Sequence, residues 1–171
     1  MNILFIVPYV PSLVRVRPYQ LIRGLTLLGH NVRVMTLWAD DSERRELNEL
    51  SVLASGATGK PLTGLRPYLN ALRALPSTEP LQAAYSWQPA LAKAIRRRVG
   101  ETDIVHVEHL RGARYGLALN GLNVPIVWDS VDCISELFRQ ASINGASLFS
   151  RLITRFDLPR TERYEGKLLN A

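Results

Sequence analysis

Ile3-Leu4-Phe5-Ile6-Val7, then Pro8-Tyr9-Val10-Pro11-Ser12, then a helix-spaced segment to Leu28, then Gly29-His30-Asn31 and Val32-Arg33-Val34-Met35-Thr36-Leu37: this stretch decides the fold. Both apolar runs are continuous rather than alternating, as strands are when helices cover both faces of their sheet. Two such strands joined through a helix form a βαβ unit, so the sheet is parallel. Pro18 suits the first turn of the helix, where a missing N–H costs nothing, and Gly29 can take the left-handed conformation that ends it. Val16, Tyr19 or Gln20, Ile22 or Arg23, and then Leu21, Leu25 and Leu28 are expected to form the buried stripe of that helix. The Pro8 to Arg17 turn faces the carboxyl ends of the strands, the edge where open α/β sheets hold ligands.

The pattern repeats further along. Asp103-Ile104-Val105-His106-Val107-Glu108-His109 reads as a buried strand with a polar tip, followed by a helix from about Gly112 to Leu119 and a strand Val124-Pro125-Ile126-Val127-Trp128-Asp129. Between the repeats, Asp40, Asp41 and Ser42 offer N-cap oxygens for a helix carrying Leu47, Leu50 and Leu53. A short third strand is expected near Lys60 to Thr63. Ser55-Gly56-Ala57-Thr58-Gly59-Lys60-Pro61 has the residue types of a phosphate loop but the wrong spacing, with proline where Ser or Thr must stand. Helices are expected at about Leu65 to Leu75 and Gln88 to Val99, separated by the proline-punctuated stretch Pro76 to Pro89. From Ser130 the spacing of Val131, Ile134, Leu137 and Phe138 predicts a helix that packs Cys133 in its stripe and fades over 142–145. A last helical segment, Leu148 to Ala171, is expected to break at Pro159. The expected class is therefore α/β: one Rossmann-like, doubly wound, mainly parallel sheet with helices on both faces, residues 1–171 forming a single domain.

At 171 residues, with 47% hydrophobic and 21% charged side chains, the chain has the composition of a globular domain rather than a disordered one. No apolar run approaches the ~20 residues of a membrane span. The first apolar stretch is five residues long without a basic leader, which argues strand rather than signal peptide. The single cysteine, Cys133, excludes an internal disulfide and a multi-cysteine metal site, and a cytoplasmic location is the default expectation. The formal net charge is +6, and residues 60–98 hold seven cations against Glu79 alone, so this region carries the whole excess. Such a balance points to anionic partners. An amphipathic basic helix with Tyr85 and Trp87 nearby fits docking on an anionic membrane surface through Lys60 to Arg98. It also fits an ordinary solvated face. Nucleic acid is disfavoured, since the basic cluster lacks the interleaved aromatics that stack bases.

In a parallel sheet three groups of polar residues converge from distant parts of the chain. They are Tyr9, Arg15 and Arg17; Glu108, His109 and Arg111; and Asp129, Ser130 and Asp132. Arginine forks there can grip a phosphate or carboxylate. A His or Asp can take a proton from a sugar hydroxyl where geometry brings it within hydrogen-bond reach. His106, inside its strand, fits a hydrogen-bonded core histidine better than a catalyst. Side chains alternate along a strand, so His106, Glu108 and His109 make a poor metal triad, and no metal is expected. With no glycine-rich turn after the first strand, a dinucleotide cofactor is disfavoured.

Asn2-Ile3-Leu4-Phe5-Ile6-Val7-Pro8, the Leu28-Gly29-His30-Asn31-Val32 junction, Asp103-Ile104-Val105-His106-Val107 and Pro125-Ile126-Val127-Trp128-Asp129 together resemble the N-terminal half of GT-B glycosyltransferases of the large retaining family 4. The Pro8-Tyr9-x-Pro11 turn with Arg15-x-Arg17-x-Tyr19 is similar to a bacterial sugar-transferase subgroup of exopolysaccharide and exosortase-linked loci. That resemblance implies an acceptor-binding domain of a nucleotide-sugar-dependent transferase acting in polysaccharide or glycolipid synthesis. The nucleotide-sugar would be a substrate, bound by a C-terminal domain absent from these 171 residues, and no cofactor is implied. It further implies a sugar or lipid-linked acceptor, a cytoplasmic protein peripheral to the inner face of the cell membrane, and no hexosyl transfer by this half alone. Glu108, His109 and Asp129 are then the catalytic candidates, and Tyr9, Arg15, Arg17, Arg111 and Asp132 the substrate-binding ones. Two features depart from the family pattern. Leu13-Val14-Arg15-Val16-Arg17 replaces a paired glycine in the first turn, and Glu108, followed by His109, stands where many relatives carry histidine. The alternative, from another class, is a non-catalytic basic module docking on anionic membrane.

Overall fold

The computed structural model describes residues 1–144 and 147–169, and over them the chain is a five-stranded, wholly parallel sheet flanked by helices on both faces. The elements run β1 (Asn2–Val7), α1 (Val16–Leu27), β2 (Asn31–Trp38), α2 (Asp41–Leu53), β3 (Ala57–Pro61), α3 (Arg66–Ala74), α4 (Leu81–Tyr85), α5 (Pro89–Arg98), β4 (Ile104–Glu108), α6 (Leu110–Leu117), β5 (Ile126–Asp129), α7 (Ile134–Asn144) and α8 (Leu148–Leu168). The order across the sheet is β3-β2-β1-β4-β5. β1 is central because it is the most apolar strand. Leu4 and Ile6 meet Met35, Leu37, Val105 and Val107 under α5 and α6, while Ile3, Phe5 and Val7 meet Val32 and Val34 under α1 and α2. The Rossmann-like, doubly wound expectation is thus correct.

Local chemistry fixes the ends. Gly29 closes α1 at φ 84. Asp40 caps α2, its carboxylate accepting the Ser42 and Glu43 N–H groups at 2.9 Å. β3 lies slightly earlier than expected and pairs with β2 from Val34↔Ala57 to Trp38↔Pro61. The Ala57 to Pro61 segment is therefore sheet, not a phosphate loop. Gly59 leaves room that a Cβ would take, since a Cβ there would lie 2.6 Å from the Leu47 side chain and 2.7 Å from the Trp38 side chain and would force one of them to shift.

Several expectations need correction. Ile22 of the expected α1 stripe is buried, with Pro18 beside it, and Tyr19, Leu21 and Leu25 pack partly buried against the core, whereas Val16 and Leu28 at the two ends are exposed. The stretch Pro76 to Pro89 contains a short helix, α4. β5 begins only at Ile126, because Pro125 has no N–H to donate and serves as an acceptor for Val105 N–H. α6 starts at Leu110, two residues early, capped by His109. α7 starts at Ile134, so Val131 belongs to the preceding turn, Leu137 is exposed, and Cys133 is exposed rather than packed. The expected end of that helix at 142–145 falls partly on Gly145, outside the described residues. α8 continues through Pro159. Tertiary bonds clamp the helix on both sides of the proline: Asp157 accepts the Leu81 N–H at 3.0 Å, and Arg160 donates to the carbonyls of Ala74 and Leu75. The last two residues of that segment, 170 and 171, lie outside the described ones. Among the described residues no helix is long and apolar enough to cross a membrane.

Candidate functional site

The strand order reverses between β1 and β4, whose outgoing connections lead to helices on opposite faces and leave a crevice at the carboxyl ends. The turn after β1 and the tip of β4 meet there. The Tyr9 hydroxyl donates to Glu108 Oε1 at 3.2 Å, a contact spanning 99 residues of sequence. A cavity of about 410 Å3 opens beside them, lined by Tyr9, Arg15, Val16, Arg17, Pro18, Glu108, Arg111 and Val131. Five of the eight predicted site residues therefore share one cavity.

Glu108 is the most unusual group in it. The residue is 0% exposed, one carboxylate oxygen takes the Tyr9 hydroxyl, and Oε2 has no hydrogen-bond partner. Burial pushes its pKa up to about 7, with the Asp129 charge acting in the same direction and the Tyr9 hydrogen bond and Arg17 acting against it. The carboxyl is thus poised near neutrality. Burial and the neighbouring Glu108 in turn push the Tyr9 phenol up, so it remains a hydrogen-bond donor.

Asp129 lies outside the cavity lining and is tied to it through Arg17. Arg17 Nη2 donates to its Oδ2 at 2.6 Å while Arg17 Nη1 stands 3.6 Å from Glu108. Burial opposes ionisation of Asp129, yet the Arg17 hydrogen bond, the Val131 N–H and the Arg17 charge outweigh it and hold the carboxyl below its ordinary range. Arg15 pairs with Glu43 at 2.7 Å and lies over the Tyr9 ring at 5.1 Å. Both arginines expected to grip an anion are thus already matched by protein carboxylates. Among the described residues Arg111 has no ion-pair partner. Its Nε is buried without a partner and its guanidinium lies 5.7 Å from the Tyr85 ring centroid.

The structure separates the two neighbours at the tip of β4. Glu108 faces the cavity, while His109, at φ 66, turns back so that its Nδ1 accepts the Arg111 N–H at 3.1 Å and caps α6. Burial and the Arg111 charge push the His109 pKa down to about 4, against the opposing effect of Asp132, so the ring is neutral near pH 7. Asp132 is exposed beside it and outside the cavity lining. His106 stacks on Phe5 at 4.3 Å with its Nε2 buried and unpaired, 3.8 Å from Asp129 Oδ2. It packs as a core residue without the expected hydrogen bond.

No family model matches the chain, and no curated protein matches it. The reading of this site therefore rests on its own geometry. Sequence reasoning missed Val131, which lines the cavity at φ 65, a strained value for a β-branched residue. The available signal was a β-branched residue between Ser130 and Asp132 just after a strand end. Among the described residues no group of three or more His, Cys, Asp or Glu side chains could hold a metal ion. A larger hollow of about 640 Å3 lies over α6 and β5, but none of its lining side chains is ionisable, so it offers no acid or base.

Proposed function

We propose that the chain is the acceptor-side domain of a GT-B, family 4-like glycosyltransferase, and that Glu108 is the group that receives the acceptor hydroxyl. The observation that carries this reading is the buried Glu108 carboxyl with one oxygen unpartnered at the wall of a cavity on the β1–β4 switch point. Ionised Glu108 accepts a hydrogen bond from a sugar hydroxyl and then its proton, as the acceptor oxygen bonds to the donor's anomeric carbon. The bond from that carbon to the nucleoside diphosphate breaks in the same exchange, and the donor is held by a second domain. Tyr9 fixes the carboxyl through Oε1, and the buried Oε2 meets the acceptor once the turn carrying Tyr9 and Arg17 moves aside. Arg111 is the cation left to meet an acidic acceptor. Arg15 and Arg17 orient the carboxylates rather than the ligand, and His109 shapes the turn.

The test is nuclear magnetic resonance titration of the chain with glucose, galactose, mannose, N-acetylglucosamine and the corresponding uronic acids. Shifts should appear at Tyr9, Glu108 and Arg111 with at least one of these sugars and be lost in Glu108→Gln. Absence of shifts there with every sugar, or shifts confined to another surface, would sink the assignment. Transfer of sugar by the 171 residues alone would sink the half-enzyme reading.

A further inference from the structure

An amphipathic helix on a globular protein buries its apolar side, and α3 does the reverse. Its buried residues are Pro67 and Ala74, while Leu65, Tyr68, Leu69 and Leu72 point outward at 74%, 64%, 45% and 60% exposure. Tyr68 meets the Tyr85 ring edge-on at 5.9 Å, and among the described residues the three leucines stay exposed. The helix is held in this orientation by its polar side: Asn70 Nδ2 donates to the carbonyl of Trp87 at 2.8 Å and to that of Tyr85 at 3.3 Å. The apolar surface extends past the end of α3. Arg160 of α8 donates to Leu75 O and lies 4.1 Å over the Phe156 ring, and Phe149, Leu152 and Phe156 are exposed along α8. An outward apolar face of this extent marks a contact surface rather than scattered side chains.

The charge beside it indicates the partner. Arg66 and Arg73 flank the leucines and, with Arg114, line a cleft of about 350 Å3. Arg114 stacks 4.2 Å from the Trp87 ring and pairs with Glu79 at 3.0 Å. Glu79 is the only carboxylate in the cleft lining, against three guanidiniums. Burial raises the Glu79 pKa, with the Arg114 charge acting against it. Arg151 and Arg155 add cations along the apolar part of α8. By contrast, Arg98 of the expected basic region stands 3.6 Å from Glu101, on the turn leading into β4. Within the broad region 60–98, the α3 part is the one that carries exposed leucines beside its arginines.

We propose that α3, extended by the first half of α8, docks on a bilayer of anionic phospholipid, with Leu65, Leu69 and Leu72 in the acyl boundary and the Arg66–Arg73–Arg114 cleft receiving lipid phosphates. The pairing of an apolar face with flanking arginines is what an interfacial helix requires. Guanidinium forks match phosphate oxygens two at a time. This proposal is independent of the chemistry assigned to Glu108, which belongs to another part of the surface.

The test is co-sedimentation of the full chain with vesicles of phosphatidylcholine alone and of phosphatidylcholine mixed with phosphatidylglycerol. Binding should require phosphatidylglycerol and fade with salt. The variant Leu65→Ser/Leu69→Ser/Leu72→Ser should bind at least about tenfold more weakly. Arg66→Gln/Arg73→Gln should remove most of the salt dependence. The substituted side chains are exposed, so circular dichroism melting should show both variants folded. Absence of binding at low salt would overturn the proposal, as would wild-type affinity in the leucine variant. So would a vesicle-free dimer that the leucine variant abolishes, which would make the face a self-contact.

Discussion

Arg17 stands between Glu108 and Asp129 and divides its guanidinium unequally, at 2.6 Å from Asp129 and 3.6 Å from Glu108. The shorter, charge-assisted contact goes to the more exposed carboxylate. That leaves the buried Glu108 only partly compensated, which is why burial dominates its titration. Arg17→Gln removes the compensation from both. The Glu108 midpoint, read from the carboxyl carbon resonance, should move above its wild-type value of about 7. Asp129 should rise from its depressed value. An unchanged Glu108 midpoint would show that Arg17 serves Asp129 alone.

The two residues at the tip of β4 impose opposite pH dependences on stability. Glu108 is raised to about 7 in the fold against about 4.3 unfolded, so its contribution is full below about pH 4.3 and is lost as pH rises through 7. His109 is lowered to about 4 against about 6.5 unfolded, so its contribution is present above 6.5 and is lost as pH falls through 4. Over pH 4.5 to 6.5 the two nearly cancel. Glu108→Gln should expose a rise in stability with pH over this window. His109→Asn, which tolerates the positive φ, should expose a fall on the order of 3 kcal/mol by pH 7. Chemical denaturation across pH measures both, and parallel curves for the two variants would contradict the assignment.

Tyr115 ties α6 to the loop before α5. Its hydroxyl donates to Ser86 O at 2.7 Å and accepts the Gln88 N–H at 2.9 Å, with Tyr115, Ser86 and Gln88 all buried. Tyr115→Phe keeps the ring stacked on Trp87 but strands a buried carbonyl and a buried N–H. The expected loss is about 2 kcal/mol or more. Tyr68→Phe, at an exposed position, should change stability by less than about 0.5 kcal/mol. Equal effects would mean that water replaces the hydroxyl.

β1, β2 and β4 were legible because a strand covered on both faces is rich in apolar residues at consecutive positions: Ile3 to Val7 is unbroken, Val32 to Leu37 is broken by Arg33 and Thr36, and Ile104 to Val107 is broken by His106 alone. The convergence of Tyr9 and Glu108 was also legible, since parallel strands bring their ends to one edge. Orientation was not. Periodicity shows that α3 has an apolar side but not whether that side faces in, and the bonds from Asn70 that settle it reach 15 and 17 residues along the chain. The fate of Arg15 and Arg17 was equally hidden, because Glu43 and Asp129 reach them only through tertiary packing. Pro159 predicted a break from local chemistry that Asp157 and Arg160 override from outside the helix.

Gly59 tests how tightly β3 is sealed against β2 and α2. It pairs with Thr36, and a Cβ would meet Leu47 Cδ2 at 2.6 Å and Trp38 Cδ1 at 2.7 Å. Leu47 is buried and Trp38 lies at the end of its strand, so an added methyl must displace one of them. Gly59→Ala should cost about 1–3 kcal/mol. Gly100 has no heavy atom within 4 Å of a built Cβ, and Gly100→Ala should stay within about 0.5 kcal/mol. The two melting temperatures should therefore separate, with Gly59→Ala the lower. If they coincide, the Trp38 ring yields without loss, and the glycine is there for some reason other than space.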